Sequence, residues 1–409
     1  MTRSQRCGDT QAVAARASLP SALVRHRLSV FLVVLCAPAW MPWVFAAPVG
    51  ETTMPAVERA TPTLVGSMTA ALPRMTPTTR AAQPAPTSPS PPSPQPRPAI
   101  ASAFGTARLT ARTSAALRPR ASAPALAADF PDPDVLRVGA TWWGYATGTG
   151  FAHLQVRSSP DLSSWSAPAD ALPLLPGWAS PGYSWAPAVT ASGSGYLMYY
   201  SVRDARNGRQ CLSVATSTTP AGPFSDVSVV PLTCQTGSGG SIDPQPFTAP
   251  DGTRYLLWKS EDNALGLASR IGVQRLSPDG LSLLGDRPRL LTATFAWQAG
   301  VIEGPSMIAI GRRFYLFYGA NRWNTARAGI GYAVCDTPVG PCADGSRDRP
   351  WLASTPGAIG PSGPDAFIGP DGRAWIAYHA WSGEPGATGD ARQLWIEPLA
   401  VVNGVPLVG

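Results

Sequence analysis

The sequence predicts an all-β fold, a five-bladed β-propeller that occupies residues 129–409. Three observations lead to this prediction. A β-hairpin pattern recurs five times, its copies follow one another at a long and nearly regular interval, and no helical periodicity persists across the region. The interval is too long for one turn of a solenoid, but it suits a propeller blade of four short strands.

Each copy of the repeat reads as a β-hairpin, with a short apolar strand, a glycine turn and an aromatic-rich strand. The copies are DPDVLRVGATWWGYAT (132–147), WAPAVTASGSGYLMYYS (185–201), IDPQPFTAPDGTRYLLWKS (242–260), IEGPSMIAIGRRFYLFYGA (302–320) and GPDAFIGPDGRAWIAYHA (363–380). The steps between successive anchors are 53, 58, 60 and 62 residues, for the anchors Asp132, Trp185, Asp243, Glu303 and Asp365. Stretches such as CLSVATS and AGIGYAVC lie between the anchors and supply the outer strands.

The N-terminal part of the chain has the composition of an export signal. An Arg-bearing polar stretch of 27 residues precedes LSVFLVVLCAPAWMPWVFA (28–46), and small residues follow. This order predicts a signal peptide over 1–46, cleaved after Ala46. The alternative is an uncut membrane anchor, because the apolar run is nearly long enough to span a bilayer. Either interpretation places the remainder outside the cytoplasm.

Residues 47–128 are rich in Pro, Ala, Thr, Ser and Arg, which predicts a disordered, extended linker. The formal charge of +7 divides into +10 before residue 129 and −3 after it. The basic character therefore belongs to the leader and linker. Since the predicted propeller has no basic stripe, nucleic acid is not an expected partner.

Four of the six cysteines lie in the predicted propeller, as two local pairs. An even count in an exported domain predicts disulfides between Cys211 and Cys234 and between Cys335 and Cys342. A zinc site is the alternative, but the chain has no CxxC motif and only three histidines.

Glu303 is an unexpected carboxylate in the apolar segment VIEGPSMIAIGRRFYLFY (301–318). Asp132 and Asp243 occupy closely matching positions in other copies of the repeat. Because equivalent positions of propeller blades face one another around the channel, we expect these three acids to meet at one channel mouth. The alternative is that Asp-Pro and Glu-Gly-Pro merely open strands, which is less convincing for three acids than for one.

These segments resemble glycoside hydrolase family 43 over residues 129–409. The matching motifs are DFPDPDVLRVG, DLSSW, WAPAV, GGSIDPQPF, VIEGPSM and DGRAWIAYHAW, in this order. The resemblance implies a five-bladed propeller and an exported enzyme that cuts arabinose- or xylose-containing plant polysaccharides with inversion. It implies Asp132 as general base, Glu303 as general acid, and Asp243 as the carboxylate that orients the acid and raises its pKa. Asp129 and Asp134 compete with Asp132 for the role of base.

Inverting hydrolysis explains why such acids must stand apart. One protonated carboxyl protonates the leaving oxygen, and an ionised carboxylate activates water on the opposite face of the sugar. A separation of about 6.5–9.5 Å leaves room for that water.

Two further residues are candidates for substrate binding. Trp185 could stack on a sugar ring, although packing between blades explains it equally well. Arg392 resembles a family arginine that donates to the sugar and the carboxylates, with a blade-edge salt bridge as the alternative. We expect His379 to be a buried, hydrogen-bonded histidine.

No cofactor or catalytic metal is expected. Some family members have a channel histidine in a GPGH-type stretch that helps hold a central calcium ion. Here the stretch is GPSGPDAF, with Gly363 and Pro364 at the place of that histidine. Asp365 could bind a cation through water, but a dedicated structural calcium site is not predicted.

The sequence thus predicts a secreted, monomeric inverting glycosidase whose partner is a polysaccharide or oligosaccharide. An α-L-arabinofuranosidase or arabinanase is favoured over a β-xylosidase. The alternative is a carbohydrate-binding propeller without catalytic activity, and retention of three acids argues against it. A retaining fructan-acting propeller is disfavoured because no WMNDPNG-like segment occurs. We expect no membrane contact for the mature domain.

Overall fold

The computed structural model describes residues 121–193 and 195–409. The predicted signal peptide (1–46), and the predicted linker as far as residue 120, lie outside these described residues. In residues 121–193 and 195–409, no helix has the length and apolar character needed to cross a membrane.

The described residues form five antiparallel sheets in chain order, which confirms the predicted all-β five-bladed propeller. Blade one contains β1 (Asp134–Val138), β2 (Thr141–Thr149), β3 (Ala152–Ser159) and β4 (Ala169–Asp170). Blade two contains β5 (Ala179–Ser192), β6 (Gly195–Asp204) and β7 (Gln210–Ser217). Blade three contains β8 (Ser241–Thr248), β9 (Arg254–Ser260), β10 (Arg270–Leu276), β11 (Leu283–Leu284) and β12 (Arg289–Thr292).

Blade four contains β13 (Ile302–Ile310), β14 (Arg313–Ala320), β15 (Gly329–Cys335) and β16 (Cys342–Asp344). Blade five contains β17 (Ile359–Ile368), β18 (Ala374–Trp381), β19 (Arg392–Val402) and β20 (Val405–Val408). Short 3₁₀ helices cover Thr236–Ser238, Asp262–Leu265 and Ala296–Gln298. The five repeats seen in the sequence are the first two strands of each blade.

The same distortion occurs at the start of every blade, where a residue with positive φ precedes a proline. The φ angles are 52° at Asp132, 44° at Ala186, 57° at Asp243, 53° at Gly304 and 56° at Gly363. Strand pairing shifts register around this step in blades two to five. A bulge re-aims neighbouring side chains, and here the bulge residue or the one before it lines the channel mouth in each blade.

The positions of the bulges show that the five anchors predicted from the repeat are not all structurally equivalent. Asp132 and Asp243 occupy the bulge position itself. Trp185 and Glu303 lie one residue before it, and Asp365 lies two residues after it. Apolar spacing alone cannot detect offsets of one or two residues at a bulge, because a bulge adds a residue without changing the pattern of the strands on either side.

Apolar clusters fill the five interfaces between neighbouring blades. Representative pairs of buried residues in these clusters are Tyr145 and Met198, Tyr199 and Trp258, Leu257 and Leu316, Phe317 and Tyr378, and Ala377 and Phe130. Because each blade is covered on both faces by its neighbours, the aromatic-rich second strands are almost completely buried. This packing fixes the positions of the five innermost strands around the channel mouth.

The segment before blade one closes the ring on blade five. Ala125 donates its N–H to the carbonyl of Leu394 at 2.7 Å, and Phe130 donates to the carbonyl of Arg392 at 2.9 Å. Residues 125–130 therefore pair with the third strand of blade five.

Both predicted disulfides are present. Cys211 of β7 is bonded to Cys234, and Cys335 of β15 is bonded to Cys342 of β16. Each involves the third strand of its blade.

Candidate active site

A cleft of about 470 Å³ lies at the channel mouth and contains the three carboxylates predicted to converge. Its lining residues are Asp132, Thr147, Gly148, Trp185, Ile242, Asp243, Lys259, Glu261, Asn263, Glu303, Gly304, Trp323, Ser362, Gly363, His379 and Arg392. Residues from all five blades contribute. Asp132, Asp243 and Glu303 come from blades one, three and four, so the propeller brings together acids that are far apart in the sequence.

Asp132 is partly hydrated, with 29% of its side chain exposed, compared with 16% for Glu303. Its Oδ2 accepts a hydrogen bond from the Thr147 hydroxyl at 2.5 Å and lies 3.8 Å from Nη1 of Arg392. Its backbone N–H donates to Nδ1 of His379 at 2.9 Å. Burial lowers the pKa of His379 to about 4, so the imidazole is neutral and can accept this bond.

Asp243 is tied to the chain that carries Glu303. Its Oδ2 accepts a hydrogen bond from the N–H of Gly304 at 2.8 Å, and its own N–H donates to the Ser201 hydroxyl at 2.9 Å. Burial raises the pKa of Asp243 well above the usual carboxyl value, and the charge of Glu303 raises it further. Asp243 therefore holds the Glu303 backbone and also opposes a second negative charge in the cleft.

Glu303 is contacted by a cation that the sequence analysis did not identify. Lys259 donates from Nζ to Oε2 of Glu303 at 3.1 Å and to Oε1 of Glu261 at 2.6 Å. Burial raises the pKa of Glu303 above its ordinary value, while the ammonium of Lys259 acts in the opposite direction. The result is a carboxyl that keeps its proton more readily than an exposed glutamic acid does.

Aromatic side chains and an arginine form the rim. Trp185 lines the cleft and meets Tyr183 edge to face, with ring centroids 6.5 Å apart. Trp323 is 46% exposed and stacks on Trp381 at 5.8 Å. The guanidinium of Arg392 lies 5.0 Å from the Trp323 ring, so stacking aims it towards Asp132.

The two aspartates that compete with Asp132 point elsewhere. Asp129 Oδ1 accepts the backbone N–H of Arg392 at 2.9 Å, and Asp134 Oδ2 accepts the N–H of Val189 at 2.9 Å. Neither lines the cleft. Of these three aspartates, only Asp132 lines the cleft and can reach a molecule bound there.

The channel below the cleft does not fit a dedicated cation site. The oxygens of Asp365 accept N–H donors from Val135 at 2.9 Å and from Gln245 at 2.8 Å. Asp134 is likewise hydrogen-bonded to the Val189 N–H. Within residues 121–193 and 195–409, no three His, Cys, Asp or Glu side chains are grouped so that they could hold a metal ion.

The cleft is also lined by Thr147, Lys259, Glu261 and Trp323, which were not predicted from the sequence. For two of them, Thr147 and Lys259, the sequence contains a positional signal. Thr147, Ser201, Lys259, Gly319 and His379 all stand near the end of the second strand of their hairpins, in GYAT, YYS, LWK, FYG and AYH. This position faces the residue before the bulge in blades two to five. Trp323, in the loop ANRWNTARAG, carries no periodic signal.

Two side cavities adjoin the cleft. One, of about 470 Å³, shares Asn263, Glu303 and Trp323 with it, and the other, of about 460 Å³, shares Gly148 and Trp185. A substrate bound at the carboxylates therefore has room on both sides.

Comparisons with known proteins agree with this geometry. The chain is 29% identical over 279 residues to the Beta-D-galactofuranosidase xynD of Aspergillus niger, covering 64% of this chain and 76% of that protein. It is 25% identical over 256 residues to the Extracellular endo-alpha-(1->5)-L-arabinanase 1 of Bacillus subtilis, covering 59% and 75%. A solved thermostable family-43 glycoside hydrolase superposes with a TM-score of 0.64 and 29% identity, over 71% of this chain and 96% of that one.

A family model described as Glycosyl hydrolases family 43 matches residues 121–406, which is nearly the whole described propeller. The chain belongs to this family and is a glycoside hydrolase.

Proposed function

We propose that this enzyme is an exported inverting glycosidase that cleaves arabinofuranosyl linkages of plant polysaccharides. In this proposal Asp132 is the general base, Glu303 the general acid, and Asp243 the carboxylate that positions and modulates the acid. The observation that carries it is the difference between the environments of Asp132 and Glu303 in one cleft. Such a difference separates an acid from a base.

Asp132 has the surroundings of an ionised base. The Thr147 hydroxyl donates to it, and the Arg392 guanidinium stands 3.8 Å away. Both contacts hold the Asp132 carboxyl group in place at the cleft. Glu303 is more enclosed, with 16% of its side chain exposed, and burial together with the charge of Asp132 raises its pKa. Glu303 is therefore the group that carries a proton to the leaving oxygen.

The reaction needs one proton to be given and one to be taken. Glu303 transfers its O–H proton to the glycosidic oxygen as the bond to the anomeric carbon breaks. Asp132 removes a proton from water while the water oxygen attacks that carbon from the opposite face. The products are an alcohol and a sugar with inverted anomeric configuration.

The choice of sugar rests on what two relatives have in common. One is named for galactofuranose and the other for arabinan. Galactofuranose and arabinofuranose are both five-membered rings, whereas xylose in xylan is a six-membered ring. We therefore favour a furanoside substrate, and an α-L-arabinofuranosidase or arabinanase over a β-xylosidase.

Export is supported by two observations. The propeller contains two disulfides, which persist in oxidising compartments. A relative that matches 59% of the chain is named as extracellular.

Product analysis tests the proposal. Aryl α-L-arabinofuranoside, aryl β-D-galactofuranoside and aryl β-D-xyloside would be compared with arabinan and arabinoxylan, and NMR would identify the anomer released first. We expect turnover of the arabinofuranoside or arabinan with inversion. A retained first anomer, or hydrolysis of the xyloside alone, would contradict the proposal.

Two variants separate the proposed roles. Glu303→Gln should lower kcat by about 10²–10⁴-fold on arabinan, but much less on a dinitrophenyl glycoside, whose leaving group needs no proton. Asp132→Asn should be slow on both substrates, because both need an activated water. Equal losses on the two substrates for Glu303→Gln would show that it is not the acid.

A further inference from the structure

Lys259 is a buried cation held between two carboxylates, and the proposed chemistry does not use it. The residue is 1% exposed. Its Nζ lies 2.6 Å from Oε1 of Glu261 and 3.1 Å from Oε2 of Glu303. Burial disfavours an ammonium, but the charges of Glu303, Glu261 and Asp243 outweigh that effect and raise its pKa above the usual value. Lys259 is therefore charged whenever these acids are.

Comparison with the other blades shows that Lys259 replaces an acceptor with a donor. At the equivalent position, Thr147, Ser201 and His379 each accept the N–H of the bulge residue in the next blade. An ammonium has no lone pair and cannot do so. In blade three Asp243 itself takes that bond, from Gly304. The blade-to-blade bond is thus preserved without Lys259, which frees its three N–H donors for the cleft.

The charged groups that face Glu303 come from three blades. Lys259 lies near the end of β9 and Glu261 directly after it, Asp243 lies on β8 and Asp132 lies before β1. Arg392 and neutral His379 stand beside Asp132 on the far side. Of all these groups, Lys259 alone combines positive charge with a direct hydrogen bond to Glu303.

We propose that Lys259 and Glu261 are a positioning pair that selects which oxygen of Glu303 donates the proton and sets the pH above which that proton is lost. The proposal rests on the role of Glu303 as general acid. Neither residue is assigned contact with the reacting atoms.

The selection follows from hydrogen-bond chemistry. Oε2 of Glu303 accepts from the ammonium, so in the protonated acid the proton is carried by Oε1. After transfer, the new carboxylate has a cation 3.1 Å away. Lys259 thereby favours departure of the proton. Glu261 accepts a hydrogen bond from the same ammonium, and its negative charge partly offsets the effect of Lys259 on Glu303. Glu261 therefore helps Glu303 to keep its proton until substrate binds.

The test measures the alkaline limb of the kcat/KM pH profile, which reports loss of the acid's proton. Lys259→Met should move this limb to higher pH by about one unit, since an opposite charge at contact distance has been removed. Glu261→Gln should move it to lower pH, because the full ammonium charge then acts on Glu303. The double variant should return it close to wild type.

Opposite shifts from two side chains that share one hydrogen bond cannot arise from loosened packing alone. Asp336→Asn breaks an exposed ion pair with Arg313 and is the matched control, with no shift expected. Shifts of the two variants in the same direction, or no shift, would overturn the inference. If Lys259→Met does not fold, the Glu261→Gln variant still tests the inference, because its alkaline limb should move to lower pH. Absence of any turnover by wild type would instead refute the proposed function.

Discussion

Thr147 shows how one hydroxyl can determine the state of the proposed base. Its oxygen accepts the N–H of Ala186 at 2.9 Å, so its own hydrogen is free to point at Oδ2 of Asp132, 2.5 Å away. Thr147 is 6% exposed, which strengthens both bonds by keeping water away. The hydroxyl therefore holds the carboxylate and joins blade one to blade two.

We predict that Thr147→Val lowers kcat on an aryl arabinofuranoside about tenfold or more, because a hydrogen bond to a charged group is worth about 1.5–3 kcal/mol. The variant keeps the shape but also leaves the Ala186 N–H without an acceptor, so the melting temperature should fall. Thr147→Ser keeps the hydroxyl and is the control. A well-folded Thr147→Val with wild-type kcat would contradict the role.

Arg392 and Lys259 illustrate two ways of placing a cation. Arg392 lies over the Trp323 ring and keeps 18% of its side chain exposed, so it can also reach a sugar. Lys259 is enclosed by carboxylates and can act only through them. The difference follows from the planar, weakly hydrated guanidinium and the compact ammonium.

At the scale of the strand, the bulge before each proline explains the shape of the cleft. All five blades place a residue at positive φ before the proline, and in blades two to five the preceding residue lines the mouth, as at Trp185 and Glu303. Asparagine, aspartate and glycine tolerate this conformation better than other residues. Ala186 is therefore the unfavourable member of the set, with φ of 44°.

We predict that Ala186→Gly stabilises the enzyme by about 0.5–1 kcal/mol, because the strain of a left-handed alanine exceeds the added entropy of the unfolded glycine. Thermal unfolding would measure the change. Ala188→Gly, two residues further along β5, is the matched control, and it should be destabilising since that residue is buried in an extended strand. A lower melting temperature for Ala186→Gly would show that the bulge is not strained.

At the scale of the whole molecule, the channel below the cleft is held together by a buried acid pair. Asp134 bonds to Val189 of blade two, and Asp365 bonds to Val135 of blade one and Gln245 of blade three. Burial raises the pKa of Asp365 to about 7, and it raises the pKa of Asp134 well above the usual value, with the charge of Asp365 adding to the effect. The folded propeller therefore keeps protons here that the unfolded chain has released.

This linkage gives a stability prediction with a definite sign. Because the folded pKa of Asp365 exceeds the unfolded value, its protonated form stabilises the fold, and that contribution is lost as pH rises from about 4 to 7. Asp365→Asn should flatten the plot of unfolding free energy against pH between about pH 4 and 7. The slope should change by at most about 1.4 kcal/mol per pH unit, the value for one proton. His379, whose pKa is lowered to about 4, contributes equally to the pH dependence of wild type and variant, so its effect cancels in the comparison.

Melting temperatures of wild type and Asp365→Asn between pH 4 and 8 would measure the difference, with the exposed Asp336→Asn as control. We expect wild type to lose stability relative to the variant as pH rises. Parallel curves would mean that the channel acids titrate normally.

Much of the fold could be predicted because a propeller repeats its signal. Five hairpins, each with apolar strands and a glycine turn, are visible in the chain, and the structure has five blades at those places. The disulfide pairs could be predicted for a similar reason, since each closes a short loop. The offsets at Trp185, Glu303 and Asp365 could not, because a bulge leaves the apolar pattern unchanged.

Residue type and period along the chain were enough to predict the architecture and the three carboxylates at the channel mouth. The neighbours of those carboxylates become visible only in the folded propeller. Thr147 contacts Asp132 within blade one, and Lys259 contacts Glu303 across the interface between blades three and four. The apolar pattern of the sequence does not specify which side chains meet in these contacts. Protonation depends on such neighbours and on burial, so the proposed division between acid and base rests on the closed ring.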